Sequence, residues 1–111
     1  MVVDQQVDAD RVFGALADPT RRDILDRVLR EESSVSALAE RYAMSFAAVQ
    51  KHVAVLEKAG LVSKQTRGRE RMVRGEVRTV QSATRLLTRY EEIWRGRLER
   101  IDALLDQEKE K

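Results

Sequence analysis

The chain has 111 residues, of which 42% are hydrophobic, and a net charge of only +2. This length predicts a single domain, residues 1–111, with a modest core. It has no cysteine, so disulfides, thiolate metal sites and cysteine redox switches are excluded. No apolar run approaches the roughly 20 residues of a membrane span, and the polar, acidic N-terminus is unlike a signal peptide. We therefore expect a cytoplasmic protein that does not contact a membrane.

The charge is unevenly distributed along the chain. Residues 1–32 carry five arginines against eight acidic residues, a net charge of −3. Residues 61–100 carry eleven basic residues against five acidic ones, a net charge of +6. Such asymmetry predicts one surface that is suited to an anionic partner.

Two helices are predicted in the first part of the chain, after a frayed segment at residues 1–7. The first begins at Asp8 or Asp10. Asp18 suits the N-cap of the second and Pro19 its first position, and this helix continues to about Arg30. Apolar residues at helical spacing mark the inward faces of the two helices: Val12, Phe13, Leu16, Ala17, Ile24, Leu25, Val28 and Leu29.

Residues 36–62 predict a helix-turn-helix, preceded by a loop at residues 31–34. Ser36 would cap a short third helix, with Leu38, Ala39 and Tyr42 on its inner face. Ser45 would cap the fourth helix, residues 46–59, in which Val49, Val53 and Leu56 share one buried face. Gly60 would follow in a left-handed conformation, with Leu61 in contact with Leu56.

The opposite face of the fourth helix is small and polar. A recognition helix reads base edges in the major groove with its N-terminal residues, so we expect DNA contacts from this end. The candidates are Ser45, Phe46, Ala47, Gln50, Lys51 and His52. The only histidine, His52, lies on the flank of the buried face, where a packed or phosphate-bonding role is favoured over a pH switch.

At residues 61–75 the spacing of the apolar residues is no longer helical, and this segment predicts a β-hairpin with Arg67 and Gly68 at the turn. The hairpin is rich in basic residues: Lys64, Arg67, Arg69, Arg71 and Arg74. Exposed basic hairpins are often only solvated. Directly after a recognition-type helix, however, this one is expected to act as a wing, with Lys64, Arg67, Arg69 and Arg71 along the DNA phosphates.

One long helix is predicted over residues 79–107, with a frayed tail from 108 to 111. Its apolar stripe extends beyond a core of about 70 residues and would be exposed in a monomer, so we expect a second copy to cover it. The predicted dimer interface comprises Val12, Phe13, Leu87, Tyr90, Trp94, Leu98, Ile101 and Leu105. Gly96 lies within this helix, where it would permit close helix approach or, alternatively, mark a kink.

Four segments carry a family resemblance: FGALADPTRRDIL, VSALAERYAMS, AAVQKHVAVLEKAGLV and RGRER. In this order, over about residues 11–75, the chain resembles the ArsR/SmtB family of bacterial winged-helix repressors. The resemblance implies a mainly helical winged helix-turn-helix of residues 8–75, with the long last helix for dimerisation. It also implies a homodimer that binds a palindromic operator in double-stranded DNA, represses transcription and often regulates its own operon.

Two departures from the family matter. Many members hold a metal with cysteines in the third helix, or with histidines and acidic residues in the last helix. This chain has no cysteine, and its last helix has no histidine. We therefore expect no metal and no cofactor, and the sequence identifies no inducer. The family also often has an aromatic residue in place of Val73 and a large apolar one near Gly75, which predicts a shorter second wing strand here.

An enzymatic function is not expected, because no catalytic triad, Gly-rich phosphate loop or convincing pair of catalytic carboxylates is present. The alternative from another class is a winged helix that binds proteins and has no operator. Such a module would not need a polar recognition face combined with a basic wing.

Overall fold

The computed structural model describes residues 8–109, which form five helices and one three-stranded antiparallel sheet. Helices α1 (Ala9–Leu16) and α2 (Pro19–Arg30) precede strand β1 (Ser33–Ser34) and helix α3 (Val35–Ala39). They are followed by helix α4 (Phe46–Lys58), strands β2 (Val62–Arg67) and β3 (Glu70–Gly75), and helix α5 (Val77–Lys109). The predicted winged helix-turn-helix with a long last helix is confirmed. The segment predicted to be frayed at residues 1–7 lies outside the described residues, as do residues 110 and 111.

Side-chain caps fix where the first two helices begin. Asp8 accepts a hydrogen bond from the backbone N–H of Arg11 at 3.1 Å, and Asp18 accepts one from Arg21 at 2.9 Å. Each carboxylate satisfies a backbone donor that a helix leaves unpaired in its first turn. Pro19 occupies the first turn of α2 as predicted, where its missing N–H removes no helical bond.

The start of α3 differs from the prediction. Ser34, not Ser36, is the N-cap, and its Oγ accepts from the N–H of Ala37 at 3.0 Å. The predicted loop at residues 31–34 is also wrong in part, because Ser33 and Ser34 form strand β1 against Val73 and Met72 of β3. This pairing extends the chain immediately before α3, so the helix begins at Val35.

The hairpin turn lies one residue later than predicted. Arg67 pairs with Glu70, which leaves Gly68 and Arg69 as the two loop residues. Gly68 has φ of +65°, which a residue with a Cβ rarely adopts, and the first loop residue is where a type II′ turn requires a positive φ. The tip of the wing is therefore Gly68-Arg69 and not Arg67-Gly68.

The second wing strand is not shortened. All six residues of β3, Glu70–Gly75, pair with β2, and Val73 is buried in the core. Gly75 accommodates the close approach of α2: a Cβ at this position would lie 2.6 Å from Leu29 Cδ2 and 3.0 Å from Leu29 Cα. Leu29 of α2 thus occupies the space that a larger side chain at position 75 would need.

One hydrophobic cluster joins the helices and the sheet. Its buried residues are Val12, Ala15, Ile24, Leu25, Val28, Val35, Leu38, Val49, Val53, Leu56, Ala59, Leu61, Val62, Val73 and Ala83. Three residues expected on inward faces are instead exposed: Phe13, Ala17 and Leu29. The cluster orients α4, because Val49, Val53 and Leu56 are all in it and turn the opposite face of the helix outward.

Helix α5 extends far beyond this cluster. It is 33 residues long, two residues longer at each end than predicted, and its only buried residues are Ser82 and Ala83 near its start. The radius of gyration is 20.2 Å and the longest dimension is 75 Å, whereas a compact chain of this length would have a radius of gyration of about 13 Å. Most of the helix therefore has no partner within the described chain.

Candidate nucleic-acid interface

Capping interactions define both ends of helix α4. Ser45 Oγ accepts from the N–H of Ala48 at 3.1 Å. At the other end Gly60, with φ of +77°, donates to the carbonyl of Glu57, and Leu61 donates to that of Leu56, both at 3.0 Å. This pair of bonds is a Schellman motif. The N-cap and the left-handed glycine were both predicted from the sequence, and both are confirmed.

The face of α4 opposite the core is open to solvent. Phe46, Ala47, Gln50 and Lys51 are exposed, and Ser45 is exposed at the cap. The large ring of Phe46 is 46% accessible, although its burial would be favourable. The structure thus places five of the six recognition-helix candidates on one accessible surface, and their contacts with DNA remain a prediction.

Strand register divides the wing residues between two faces of the sheet. Lys64 lies opposite the buried Val73, and Arg71 lies opposite Thr66, so the side chains of Lys64 and Arg71 emerge on the core side. Residues on this side border an open groove of about 280 Å³ between α4 and the wing, lined by Val35, Gln50, Val53, Lys64 and Arg71. One candidate base-reading side chain and two cations therefore meet in this groove.

Two of the predicted wing cations have acidic partners within the chain. Lys64 Nζ lies 3.4 Å from Glu57 Oε1 on α4, and Arg67 Nη1 donates to Glu32 Oε1. Arg67 emerges on the face opposite to Arg71, because their pairing partners alternate along the strands. Among residues 8–109 no ion pair involves Arg69 or Arg71. Of the four predicted wing cations, these two, at the tip and in the groove, are therefore the ones that no acidic residue in that range neutralises.

The side chain of His52 is held at the flank of α4 by α2. Its Nδ1 lies 3.3 Å from Arg21 Nη1 and 3.9 Å from Asp18 Oδ2. The same guanidinium donates from Nε to the carbonyl of Ala15 at 2.7 Å, and from Nη2 to that of Gly14 at 3.2 Å. The hydrogen bond from the Arg21 backbone, followed by the charge of its guanidinium, lowers the pKa of the Asp18 carboxyl. Arg21 thus connects the end of α1, the start of α2 and the middle of α4.

A second polar cluster fastens the helix-turn-helix to α2. Tyr42 donates to Asp23 Oδ2 at 2.6 Å, and Arg27 Nε donates to the same oxygen at 2.9 Å. These bonds, first that of Tyr42, lower the pKa of Asp23. Burial, reinforced by the bond to Asp23, raises the pKa of Tyr42 to about 12. Tyr42 was predicted as an inward-facing residue, and its ring does pack against the core.

The predicted dimer surface is largely exposed, with one exception. Val12 is 0% accessible because its own chain covers it, so a second copy cannot contact its side chain. Phe13 remains accessible, and the predicted interface residues of the last helix are between 42% and 56% accessible: Leu87, Tyr90, Trp94, Leu98, Ile101 and Leu105. A Cβ at Gly96 would meet only Arg100, at an ordinary 3.6 Å. No close contact among the described residues requires a glycine there.

Residues 8–109 show neither a cluster of metal-ligating side chains nor a membrane-spanning helix. No group of three or more His, Cys, Asp or Glu side chains in that range could hold a metal ion. None of its helices combines the length and apolar character that crossing a membrane demands.

Sequence reasoning missed Arg21, Glu32 and Glu57 as partners of the candidate site residues. Arg21 lies 31 positions before His52, and Glu32 lies 35 positions before Arg67. Local spacing carries no signal for such long-range pairs. The separation of Glu57 from Lys64 is short, but the two residues belong to different elements on either side of Gly60.

Comparisons with known proteins match this arrangement. A family model described as a helix-turn-helix domain matches residues 16–65. The transcriptional repressor SdpR of Bacillus subtilis (strain 168) is 32% identical over 59 residues, which cover 53% of this chain and 66% of that protein. The uncharacterized HTH-type transcriptional regulator YuzN of the same organism is 41% identical over 71 residues, covering 58% of this chain and 77% of that protein.

Solved structures agree over more of the chain. An ArsR-like transcriptional regulator from Rhodococcus sp. RHA1 superposes with a TM-score of 0.77 at 36% identity, covering 86% of this chain and 90% of that one. The homodimeric winged helix-turn-helix DNA-binding domain of a possible ArsR-family regulator from Mycobacterium bovis superposes with a TM-score of 0.59 at 26% identity, covering 77% of this chain and 76% of that one.

Proposed function

This chain belongs to the ArsR family of winged helix-turn-helix DNA-binding transcriptional regulators, and we propose that it is a homodimeric repressor of a palindromic operator, with its own operon as a candidate target. In this function the whole chain is one cytoplasmic domain, in which residues 8–75 bind DNA and α5 forms the dimer. Repression is supported by the similarity to the repressor SdpR. Homodimer formation is supported by the solved homodimeric domain from Mycobacterium bovis.

The groove that α4 and the wing share is the observation that carries this proposal. It brings Gln50, which suits an adenine edge, next to Arg71, which suits a phosphate. Lys51 emerges one position further along the exposed face and can reach guanine or phosphate. Phe46 and Ala47 offer apolar surface to thymine methyl groups at the start of the helix. Side chains suited to base edges and side chains suited to phosphates thus lie next to each other on one surface.

One α4 helix contacts only a few base pairs, and a second copy of the chain would double the length of DNA that is recognised. A two-fold dimer would place its two α4 helices in successive major grooves, with half-sites about one helical turn (~34 Å) apart. The exposed apolar surface of α5, which includes Trp94 at 53% accessibility, would be covered in such a dimer.

Footprinting and a gel-shift titration on the DNA upstream of the gene, at several salt concentrations, test the proposal. We expect protection of a palindrome and a complex that weakens steeply with salt. Gln50→Ala should relax preference at one base pair of each half-site by about 1–3 kcal/mol, whereas Arg69→Ala should weaken all DNA alike. The absence of any specific, salt-dependent complex would instead favour a winged helix that binds proteins.

A further inference from the structure

The contact between Arg21 and His52 constrains which imidazole nitrogen can carry the proton. Arginine has five N–H donors and no acceptor. Since Arg21 Nη1 lies 3.3 Å from His52 Nδ1, the hydrogen bond can form only if Nδ1 is unprotonated and accepts. The carboxylate of Asp18 does not compete for a proton on Nδ1 as a direct acceptor, because it lies 3.9 Å away. A neutral imidazole with Nδ1 unprotonated carries its proton on Nε2.

Arg21 is itself held in place, by two hydrogen bonds from its guanidinium and one from its backbone. Its Nε and Nη2 donate to the carbonyls of Ala15 and Gly14 at the end of α1. The Arg21 backbone N–H is tied to the Asp18 carboxylate at the start of α2. With these bonds made, Nη1 is directed at α4 and cannot turn away without losing contacts to α1. The donor that faces His52 is therefore preorganised.

The other ring nitrogen is not fully buried, and the His52 side chain is 22% accessible. Within residues 8–109, Nε2 of His52 makes no hydrogen bond, and no buried side-chain nitrogen or oxygen in this part of the chain lacks a partner. Nε2 therefore retains some accessible surface at which a partner outside the chain could accept its proton. Its position on α4, one residue after Lys51, places it on the flank of the proposed recognition helix. The flanks of a helix in the major groove face the phosphate backbone.

From this geometry we propose that Arg21 is a positioning residue that fixes the Nε2–H tautomer of His52, so that the imidazole donates a neutral hydrogen bond to a DNA phosphate. This inference rests on the proposed function, since it requires DNA at α4. It differs from a simple cationic contact, because His52 contributes a directed donor and no positive charge. The contribution of His52 to affinity should then be almost independent of salt.

The tautomer can be measured on the free protein. His52 is the only histidine, so a long-range ¹H–¹⁵N correlation spectrum of the full chain without a histidine tag shows this ring alone. At about pH 8, where histidine side chains in general are neutral, we expect the Nε2–H pattern. Arg21→Met should give a mixture of tautomers. Arg22→Met is the matched control, since Arg22 also donates to an α1 carbonyl, that of Leu16 at 2.7 Å, but does not touch His52. An Nδ1–H pattern in the wild-type chain would overturn the proposal.

Two substitutions of His52 test the DNA contact. Glutamine can place an N–H near the position of Nε2, whereas asparagine places its polar group near Nδ1. We expect His52→Gln to bind operator DNA within about threefold of wild type, and His52→Asn to bind about tenfold more weakly (about 1.4 kcal/mol). Both should keep the wild-type salt slope. Equal losses in the two variants, or a lower salt slope in both, would contradict a neutral Nε2 donor.

These experiments separate the inference from the function on which it rests. If no operator complex forms with the wild-type chain, the repressor proposal and the phosphate contact both fail, while the spectrum of the free protein still decides the role of Arg21. If the complex forms and Arg21→Met does not fold, the wild-type spectrum and the glutamine–asparagine pair decide the question.

Discussion

Arg67, on the first strand of the wing, donates from Nη1 to Oε1 of Glu32, which precedes strand β1. The pair spans the sheet, because β1 and β2 lie on either side of β3. Both side chains are partly exposed, with 57% and 33% accessibility. An ion pair of this kind contributes at most about 1 kcal/mol to folding, but it neutralises a cation that could otherwise contact DNA.

Glu32→Gln should therefore strengthen DNA binding. With Arg67 released, we expect affinity for any DNA to rise several-fold and the salt slope to steepen by up to about one unit. The measurement is a fluorescence anisotropy titration over a range of salt concentrations. Glu31→Gln removes the same charge from the neighbouring residue, and no ion pair of Glu31 occurs within residues 8–109. An equal gain from both variants would show a general charge effect and not the release of Arg67.

Leu87→Asp should disrupt the proposed dimer. Leu87 is 51% accessible on the apolar stripe of α5, so the substitution costs the monomer little. In a dimer the carboxylate would be buried without a partner, at several kcal/mol. We expect a monomer in sedimentation velocity and a loss of operator affinity of more than tenfold. Thr88→Asp, on the next residue but outside the stripe, serves as the control and should remain dimeric. A dimeric Leu87→Asp would place the interface elsewhere.

Gly75→Ala should destabilise the fold. The new Cβ would lie 3.0 Å from Leu29 Cα, and this backbone atom cannot move aside as a side-chain end can. Forced overpacking typically costs about 1–3 kcal/mol. Urea unfolding at fixed protein concentration measures the loss.

Gly14→Ala is the matched control for Gly75→Ala. No atom lies within 4 Å of a Cβ at Gly14, which is in helix α1. Alanine there should be neutral or should stabilise by up to about 1 kcal/mol through helix propensity. If both alanine variants unfolded alike, the approach of Leu29 to Gly75 would not explain the requirement for glycine.

Tyr42→Phe should change stability and its dependence on alkaline pH. Burial and the bond to Asp23 raise the pKa of Tyr42 from 10.0 to about 12. Between these values the folded chain retains a proton that the unfolded chain loses, so the free energy of unfolding falls as pH rises from about 10 to about 12. The full contribution of the phenol is present below pH 10.

The phenylalanine variant should be less stable at pH 7 by about 0.5–1.5 kcal/mol, the usual contribution of one hydrogen bond. It should also lack the fall attributable to Tyr42 above pH 10. Chemical unfolding at several pH values measures both effects, and Tyr90→Phe on the exposed surface of α5 is the control. An unchanged alkaline profile in Tyr42→Phe would argue against the bond to Asp23.

The sequence was most informative where structure is decided within a few residues. Asp18, Ser45 and Gly60 were predicted as helix boundaries because a cap acts on backbone groups two or three positions away. Ser36 was wrong as a cap for the opposite reason. Strand β1 has only two residues and exists because β3, about 40 positions later, pairs with it, and no local pattern predicts such pairing.

In the candidate site, too, local features were predictable from the sequence and long-range contacts were not. The exposed face of α4 follows from the spacing of Val49, Val53 and Leu56, and this part was predicted. Arg67 and Arg71 were equivalent in the sequence, and only the strand register places them on opposite faces. Arg21 could not have been assigned to His52 from the sequence, since their contact depends on how α2 packs against α4.

The junction at Gly60 and Leu61 is shared by three elements. The Gly60 carbonyl accepts from Thr79 Oγ1 of α5 at 2.6 Å, and the Leu61 carbonyl accepts from the N–H of Glu76, immediately before α5, at 2.9 Å. The same two residues end α4 and lead into the wing. The helix proposed for dimerisation is therefore anchored to the DNA-reading helix over two consecutive peptide groups. In a dimer, the angle between the two α5 helices would set the separation of the two α4 helices. It would thus set the distance between operator half-sites that the protein can bind.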